Sequence, residues 1–347
     1  MARYSRPSKG KIAFRWFVLL ACFVLIGLGA YYGVGYINKK VSPDTSTTLT
    51  NTGQSGSSTS SLAKVSQFTV GYQMFAISEP TAGGTRNIPT LLCFPTLNGT
   101  SGPAIQYGPF PFVVFSQGFD VSYRSYLSLV NYWVQNGFVV AMPQYPGTDP
   151  ASPTGVNRAD IVNHPADLSY VIDYFINESK NSGEFHNLIN DNEIGAAGQS
   201  DGGDVTLAAT VDSVYKDPTI KAIVLLSAAE YSAFSGTYFS APQVPIYISQ
   251  GTNDTINPPY CSIQIYDSAS APKYYVELMG ADHLIAYTQN NSYATVVDQT
   301  TTTFLDQYLL NQNVIGNLQT QADVSGVSTL ITGNYIAPTS TYCPGAP

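Results

Sequence analysis

Short apolar runs alternate with longer amphipathic segments along most of the chain, and this alternation constrains the fold most strongly. The runs at 111–116, 137–142 and 244–249 are rich in β-branched and aromatic residues. Such runs are typical of strands buried on both faces of a parallel sheet, whose strands need helical connections. The sequence therefore predicts an α/β fold with a mainly parallel sheet and helices on both faces.

The spacing of the runs predicts the individual elements. We expect strands at 68–77, 89–95, 111–116, 137–142, around Ile194, 222–226, 244–249 and 273–278. We expect helices at 123–135, 165–177, directly after Ser200, 260–267 and 294–310. Ligands of such sheets bind at the carboxyl ends of the strands, so the residues that follow each strand are the candidates for chemistry.

One strand is followed by a serine between glycines. Gly198-Gln-Ser-Asp-Gly202 lies between the strand around Ile194 and the next helix. A G-x-S-x-G sequence in this setting is a nucleophile elbow, in which the sharp turn strains the serine backbone and the glycines avoid clashes. The alternative is a glycine-rich turn that contains a serine by chance. The strand-turn-helix setting favours Ser200 as a nucleophile.

A serine hydroxyl is a weak nucleophile unless a base removes its proton. Among the three histidines, His283 follows the last predicted strand of the series, where the base of this architecture lies. His164 stands at a helix start, where we expect it to cap the helix or face solvent. His186 lies in a polar loop before the strand that leads to Ser200. We therefore predict His283 as the base.

The imidazole needs a carboxylate that orients it. Asp254 directly follows the strand at 244–249, and the chain order Ser200, Asp254, His283 is that of the α/β-hydrolases. Glu230, at the end of the preceding strand, and Asp282, beside the histidine, are the alternatives. Asp254 is the favoured acid.

Two backbone N–H groups must receive the oxyanion, one from the residue after the nucleophile and one from the loop after the third strand. The first is the N–H of Asp201. The second lies in the loop at 116–120, where Gly118 lets the backbone approach the substrate. We favour Phe119, with Gln117 as the alternative.

The chain over 65–311 resembles the dienelactone hydrolase, chlorophyllase and polyester-hydrolase (cutinase-like) branch of the α/β-hydrolases. The resemblance rests on five motifs: Phe115-Ser-Gln-Gly-Phe119, Asn136-Gly-Phe-Val-Val140, Gly198-Gln-Ser-Asp-Gly-Gly203, Gln250-Gly-Thr-Asn-Asp254 and Gly280-Ala-Asp-His283. It implies ester hydrolysis without a metal or an organic cofactor.

The resemblance also implies which residues line the acyl site: Phe119 and the region of Tyr231. With the loop residues Gln117 and Gly118, Tyr231 is expected to contact the substrate. Dienelactone hydrolases proper have a cysteine nucleophile where this chain has Ser200. Many polyester hydrolases have His-Ser-Met at 199–201, where this chain has Gln-Ser-Asp.

The charges are unevenly distributed, and they exclude one class of partner. Beyond Ser61 the chain has 8 basic and 22 acidic residues. An acidic surface of this kind repels nucleic acid, so we expect no nucleic-acid partner.

The 23 uncharged residues at 16–38 are long enough to cross a bilayer as a helix. Five basic residues precede this segment and two follow it, which favours a signal-anchor with a cytoplasmic N-terminus and a catalytic domain outside the cell. The alternative is a signal peptide cleaved near Ala30, which gives a secreted protein.

We divide the chain into five segments: a basic cytoplasmic segment at 1–15, a membrane span at 16–38, a stalk at 39–64, a hydrolase domain at 65–312 and a C-terminal extension at 313–347. Within the stalk, 13 of the 20 residues at 42–61 are Ser or Thr, which indicates a flexible linker. Outside the cell, Cys261 and Cys343 could form a disulfide, although their spacing alone does not establish one.

These observations predict a serine ester hydrolase that acts through an acyl-enzyme on a small-molecule or polymeric ester. Two alternatives stay open. One is a serine peptidase with the same machinery. The other is a catalytically inactive surface binding protein on a hydrolase scaffold, against which the complete set of Ser200, Asp254 and His283 argues.

Overall fold

A nine-stranded sheet forms the centre of the computed structural model, which describes residues 68–98, 100–152, 155–240, 243–270, 272–333 and 343. In chain order the strands are β1 (Thr69–Thr81), β2 (Gly84–Thr96), β3 (Phe110–Ser116), β4 (Val139–Pro143), β5 (Ile189–Gln199), β6 (Ile220–Leu226), β7 (Ile246–Gly251), β8 (Lys273–Leu278) and β9 (Ser328–Ile331). Across the sheet their order is β1-β2-β4-β3-β5-β6-β7-β8-β9.

Seven α-helices connect or follow these strands in the described residues. They are α1 (Leu127–Gln135), α2 (His164–Lys180), α3 (Asp201–Val211), α4 (Pro259–Ser268), α5 (Ile285–Thr288), α6 (Ser292–Tyr308) and α7 (Gly316–Ala322). Short 3-10 helices span Ile105–Tyr107, Tyr123–Tyr126 and Arg158–Asn163.

The middle of the sheet is parallel. Every adjacent pair is parallel in the run β4-β3-β5-β6-β7-β8. At one edge β1 pairs antiparallel with β2 and β2 with β4, and at the other edge β9 pairs antiparallel with β8. The predicted α/β fold with a mostly parallel sheet is therefore confirmed, and it fits an α/β-hydrolase.

Side chains on the two faces of the sheet enter two separate apolar cores. In β3, Phe112 and Val114 belong to one core and Val113 and Phe115 to the other, as the alternation of side chains along a strand requires. Helices α2, α3 and α4 contribute to the first core, and α1, α6 and α7 to the second. A sheet buried on both faces explains why its strands are continuously apolar in sequence.

The segment at 313–347, predicted as an extension beyond the hydrolase domain, contributes α7 and β9. Strand β9 pairs with β8 from Tyr275↔Ile331 to Leu278↔Ser328. Further along the segment, Cys343 forms a disulfide with Cys261 of α4. Cys93 is a free, buried thiol in β2.

The predicted basic segment at 1–15, membrane span at 16–38 and stalk at 39–64 lie outside the described residues. In the part of the chain that the structure does describe, no helix combines the length and the apolar character needed to cross a membrane.

One carboxyl group in α6 makes the stability of the fold depend on pH. Asp298 is half-buried, and burial raises its pKa to about 7. In an unfolded chain an aspartate titrates at about 3.9. Between these values the folded protein binds more protons than the unfolded chain, so this group stabilises the fold at acidic pH and the stabilisation is lost as the pH rises through about 7.

Asp298→Asn should therefore raise the melting temperature at about pH 8 and change it little at about pH 4. Each kcal/mol gained corresponds to about 2–4 °C for a domain of this size. Asp323→Asn is the matched control, because the Leu330 amide lowers the pKa of Asp323 and its removal should give no gain at high pH. Circular dichroism melts at both pH values measure the effect, and an equal shift at the two pH values would contradict it.

Candidate active site

Ser200 occupies a sharp reversal between β5, which ends at Gln199, and α3, which begins at Asp201. Its backbone has φ 54° and ψ −128°, a conformation that costs free energy for a residue with a side chain. A Cβ atom on Gly198 would overlap the backbone of Gly202, and one on Gly202 would overlap the carbonyl of Ser116. The two glycines are therefore needed for the reversal, which leaves Ser200 at the carboxyl edge of the sheet.

Asp254 and His283 meet at the same edge of the sheet. Nδ1 of His283 lies 2.7 Å from Oδ2 of Asp254, which is hydrogen-bond distance. The Asp254 side chain is fully buried, and the His283 side chain is 13% exposed. A carboxylate only accepts hydrogen bonds, so Nδ1 carries the proton and Nε2 is left to act as an acceptor.

The Asp254 carboxylate is held in place by its own loop. Oδ1 accepts hydrogen bonds from the backbone N–H groups of Ile256 and Asn257, both at 2.9 Å. Oδ2 accepts a further bond from Nε2 of Gln250 at 3.0 Å, in addition to the imidazole. These contacts fix the carboxylate, and through it the orientation of the His283 ring.

The two alternative carboxylates have other partners. Glu230 accepts a hydrogen bond from Gln264 at 3.0 Å, and burial raises its pKa. Asp282 accepts the backbone N–H groups of Leu284 and Ile285, which lower its pKa. Among the described hydrogen bonds, the carboxylate that reaches the His283 imidazole is that of Asp254.

A cavity of about 350 Å³ opens over these residues. Its lining consists of Gly118, Phe119, Val121, Arg158, Gln199, Ser200, Asp201, Ile256, Asn257, His283 and Leu284. The structure thus brings together the predicted nucleophile, the predicted base and both predicted oxyanion residues. Gln117 and Tyr231 were also expected to contact substrate. Both are buried, and neither belongs to this lining.

Two backbone N–H groups beside Ser200 are available for an oxyanion. In the loop after β3, the N–H of Gly118 donates to the hydroxyl of Tyr126 and that of Asp120 donates to the carbonyl of Thr148. Between them, the N–H of Phe119 meets no acceptor within the described part of the chain. The N–H of Asp201 is the first of α3, and the first amides of a helix lack an intrahelical acceptor.

A family model described as PET hydrolase-like (PETase) matches residues 106–325, which is more than half of the chain. The chain belongs to the PET hydrolase-like family. The match confirms the resemblance to the polyester-hydrolase branch of the α/β-hydrolases, and it supports an esterase activity at the general level. No curated protein matches the chain.

The matched region of this PET hydrolase-like protein also contains a buried hydrogen-bond chain that the sequence did not indicate. The hydroxyl of Tyr126 donates to Oε1 of Gln199 at 2.7 Å, and Nε2 of Gln199 donates to the backbone carbonyl of His283 at 3.0 Å. Tyr126 also accepts the N–H of Gly118 at 3.3 Å. This chain links the loop after β3 to the loop that carries His283, and Gly118, Gln199 and His283 all line the cavity.

A second polar cluster lies outside the cavity. Ligand atoms of Asp160, His164 and Asp167 are within 4.8 Å of one another. Arg86 pairs with both carboxylates, at 2.7 Å and 2.6 Å, so the oxygens that a metal ion would need are already engaged by a guanidinium.

The expectation that His164 caps a helix or faces solvent was wrong. Its side chain is 2% exposed, and its ring stacks on that of Tyr145 with centroids 4.7 Å apart.

Tyr126→Phe removes the central hydroxyl of the buried chain and leaves two polar groups without a partner. We expect a loss of about 1–3 kcal/mol in the free energy of unfolding, because unsatisfied buried groups cost their desolvation. Tyr72→Phe is the matched control, since its hydroxyl bonds Asn131 at an exposed position and its loss should cost less than about 0.5 kcal/mol. Urea denaturation of the three proteins measures both values; equal losses would show that the buried chain adds no stability.

Proposed function

We propose that this PET hydrolase-like protein is a serine ester hydrolase that works through Ser200, Asp254 and His283 and a covalent acyl-enzyme. The observation that carries the proposal is one arrangement: Ser200 in its strained reversal lines the same cavity as His283, whose Nδ1 lies 2.7 Å from Asp254. Family membership supports the ester specificity.

In the first half of the reaction Ser200 Oγ attacks the ester carbonyl carbon while Nε2 of His283 accepts the hydroxyl proton. The imidazolium that forms is stabilised by Asp254 through the Nδ1–H bond. The oxyanion of the tetrahedral intermediate accepts hydrogen bonds from the N–H groups of Phe119 and Asp201. Collapse of the intermediate breaks the ester C–O bond, and the leaving alcohol takes the proton from Nε2.

The second half of the reaction releases the acid. A water molecule donates its proton to Nε2 of His283 and attacks the acyl carbonyl, and the same two N–H groups receive the second oxyanion. Collapse breaks the bond to Ser200 Oγ, which recovers its proton from His283. The cycle consumes one water per ester bond and needs no other reactant.

The walls of the cavity favour an apolar group beside the scissile bond. Val121, Ile256 and Leu284 contribute apolar side chains, and Ile256 is 57% exposed at the rim. An aliphatic or aromatic acyl group would cover this surface. A substrate class of small or polymeric carboxylic esters with apolar acyl groups follows.

Purified protein should hydrolyse p-nitrophenyl esters, and a fluorophosphonate probe should label it at Ser200, as peptide mapping by mass spectrometry would show. The anilide of the same acid should react far more slowly. Comparable rates on ester and anilide would favour a peptidase. Intact, folded protein that neither turns over the esters nor takes the probe would favour a binding protein.

Ser200→Ala, His283→Ala and Asp254→Asn should each lower kcat by about 10³-fold or more, and double variants should lose little more, because the three residues act as a unit. Glu230→Gln is the matched control for the acid, since its carboxylate bonds Gln264 and not the imidazole. Normal activity in Asp254→Asn with loss in Glu230→Gln would assign the acid to Glu230.

We further propose that the catalytic domain acts outside the cytoplasm, tethered by the segment at 16–38. The support is the charge bias around that segment, with five basic residues before it and two after. The disulfide between Cys261 and Cys343 adds to it, since disulfides persist in oxidising compartments.

The protein should remain with the membrane fraction through a carbonate wash, and protease added to intact cells should release the domain. A cytoplasmic marker protein that stays uncut is the control for intact cells. Soluble protein whose N-terminus lies near Ala30 would show a cleaved signal peptide in place of an anchor.

A further inference from the structure

Asp201 combines two opposing properties at one residue. Its backbone N–H is one of the two groups that receive the oxyanion in the proposed reaction, yet its side chain carries a carboxylate. That side chain is only 9% exposed, so solvent screens its charge weakly. A negative charge at this position opposes the negative charge that develops on the substrate oxygen.

Arg158 forms a bidentate salt bridge with this carboxylate. Nε of Arg158 donates to Oδ2 of Asp201 and Nη2 donates to Oδ1, both at 2.8 Å. Arg158 begins the 3-10 helix Arg158–Asn163 and also lines the cavity. The Arg158 guanidinium also lies 4.9 Å above the ring centroid of Tyr231, and this second contact holds it in place.

The next carboxyl group of α3, that of Asp204, has a different partner. Asp204 is fully buried, and its Oδ1 accepts the backbone N–H of Ala229 at 2.7 Å. Burial, and then the proximity of Asp201, raise its pKa well above the usual range, which favours its neutral form. The charge balance beside Ser200 therefore rests on the pair of Arg158 and Asp201.

We propose that Arg158 is a positioning residue for ester hydrolysis: it neutralises the Asp201 carboxylate and fixes the first turn of α3, so that the Asp201 N–H receives the oxyanion without an uncompensated negative charge beside it. This inference rests on the proposed function. It assigns a role to the side chain of Asp201 as well as to its backbone, and explains why Tyr231, which does not line the cavity, still bears on the site.

The test is a double-variant cycle on the full chain, with p-nitrophenyl acetate as substrate. Arg158→Met should lower kcat by about 10²-fold, comparable to the loss of an oxyanion donor, and leave KM within about twofold. In the Asp201→Asn background, where no carboxylate needs neutralising, the same change at Arg158 should cost less than about fivefold. A role of Arg158 that does not act through the Asp201 carboxylate would give equal losses in both backgrounds, and that result would overturn the proposal.

Two further variants separate the effect on catalysis from a general loss of folding. Arg158→Lys keeps the positive charge but loses the bidentate contact, and it should retain about tenfold more kcat than Arg158→Met. Equal losses in kcat for the two variants would overturn the proposal. Arg124→Met is the matched control, because Arg124 also lies over a tyrosine ring, at 5.1 Å from that of Tyr123, but outside the cavity lining. Its kcat should equal that of the parent protein.

Binding of a boronic acid, which forms a tetrahedral adduct at Ser200, supplies the readout that folding alone does not move. Its Kd should weaken in Arg158→Met by about the same factor as kcat, whereas the melting curve stays cooperative. Unchanged boronate affinity would overturn the role of Arg158. If the parent protein itself fails to hydrolyse esters and to react with fluorophosphonate, the proposed function fails; an active parent with an unimpaired Arg158→Met refutes this inference alone.

Discussion

The reversal of the chain at Ser200 is the constraint on which the rest of the site depends. With φ at 54°, the backbone turns from β5 into α3 within one residue, and the start of the helix is pressed against the end of β3. The contact between Gly202 and the carbonyl of Ser116 is closer than any Cβ would permit. Phe119, Ser200 and Asp201 line the same cavity, so one packing arrangement places the proposed nucleophile and both proposed oxyanion donors together.

The proposed acid and base, Asp254 and His283, come from the other half of the sheet, and further contacts are needed to bring them close to Ser200. Strands β7 and β8 are parallel neighbours, paired up to Gly251↔Leu278, so the loops that carry Asp254 and His283 start side by side. Strand β8, however, lies three strands away from β5, about 14 Å at the usual spacing. Two side-chain bonds hold these loops over the sheet edge: Gln199 to the carbonyl of His283, and Asn257 to the carbonyl of Ser227 at 2.8 Å.

Periodicity in the sequence was enough to predict the sheet, because strands buried on both faces carry a strong apolar signal. The strand predicted at 273–278 has those bounds in the structure. Strand β9 was missed because its four residues are too short to show a pattern, and its pairing with β8 is a long-range contact. Helix α7, in the same segment, was missed because only two of its seven residues, Leu318 and Ala322, are buried, too few to show a helical period.

Within the site, local motifs gave the candidates but not the partners. Three carboxylates were compatible with the position of His283, and the loop geometry around Asp254 distinguishes among them. Tyr126 lies in an amphipathic pattern that indicates a core residue, and nothing in that pattern predicts the bond from its hydroxyl to Gln199. Arg158 lies 43 residues before its partner Asp201, in a segment without periodicity.

Because basic residues are scarce in this chain, each arginine that pairs with a buried carboxylate has a specific role in the charge balance. Beyond Ser61 the chain has three arginines among 8 basic residues, against 22 acidic ones. Arg86 joins β2 to the carboxylates of Asp160 and Asp167, and Arg158 pairs with Asp201. A weakly solvated carboxylate is costly unless a cation offsets it, and the planar guanidinium does so with two bonds. A chain this acidic cannot rely on its overall field to stabilise an anionic transition state. The local pairing of Arg158 with Asp201 offsets the carboxylate nearest to the proposed oxyanion site, so that the N–H groups of Phe119 and Asp201 can stabilise the developing charge without an opposing one beside them.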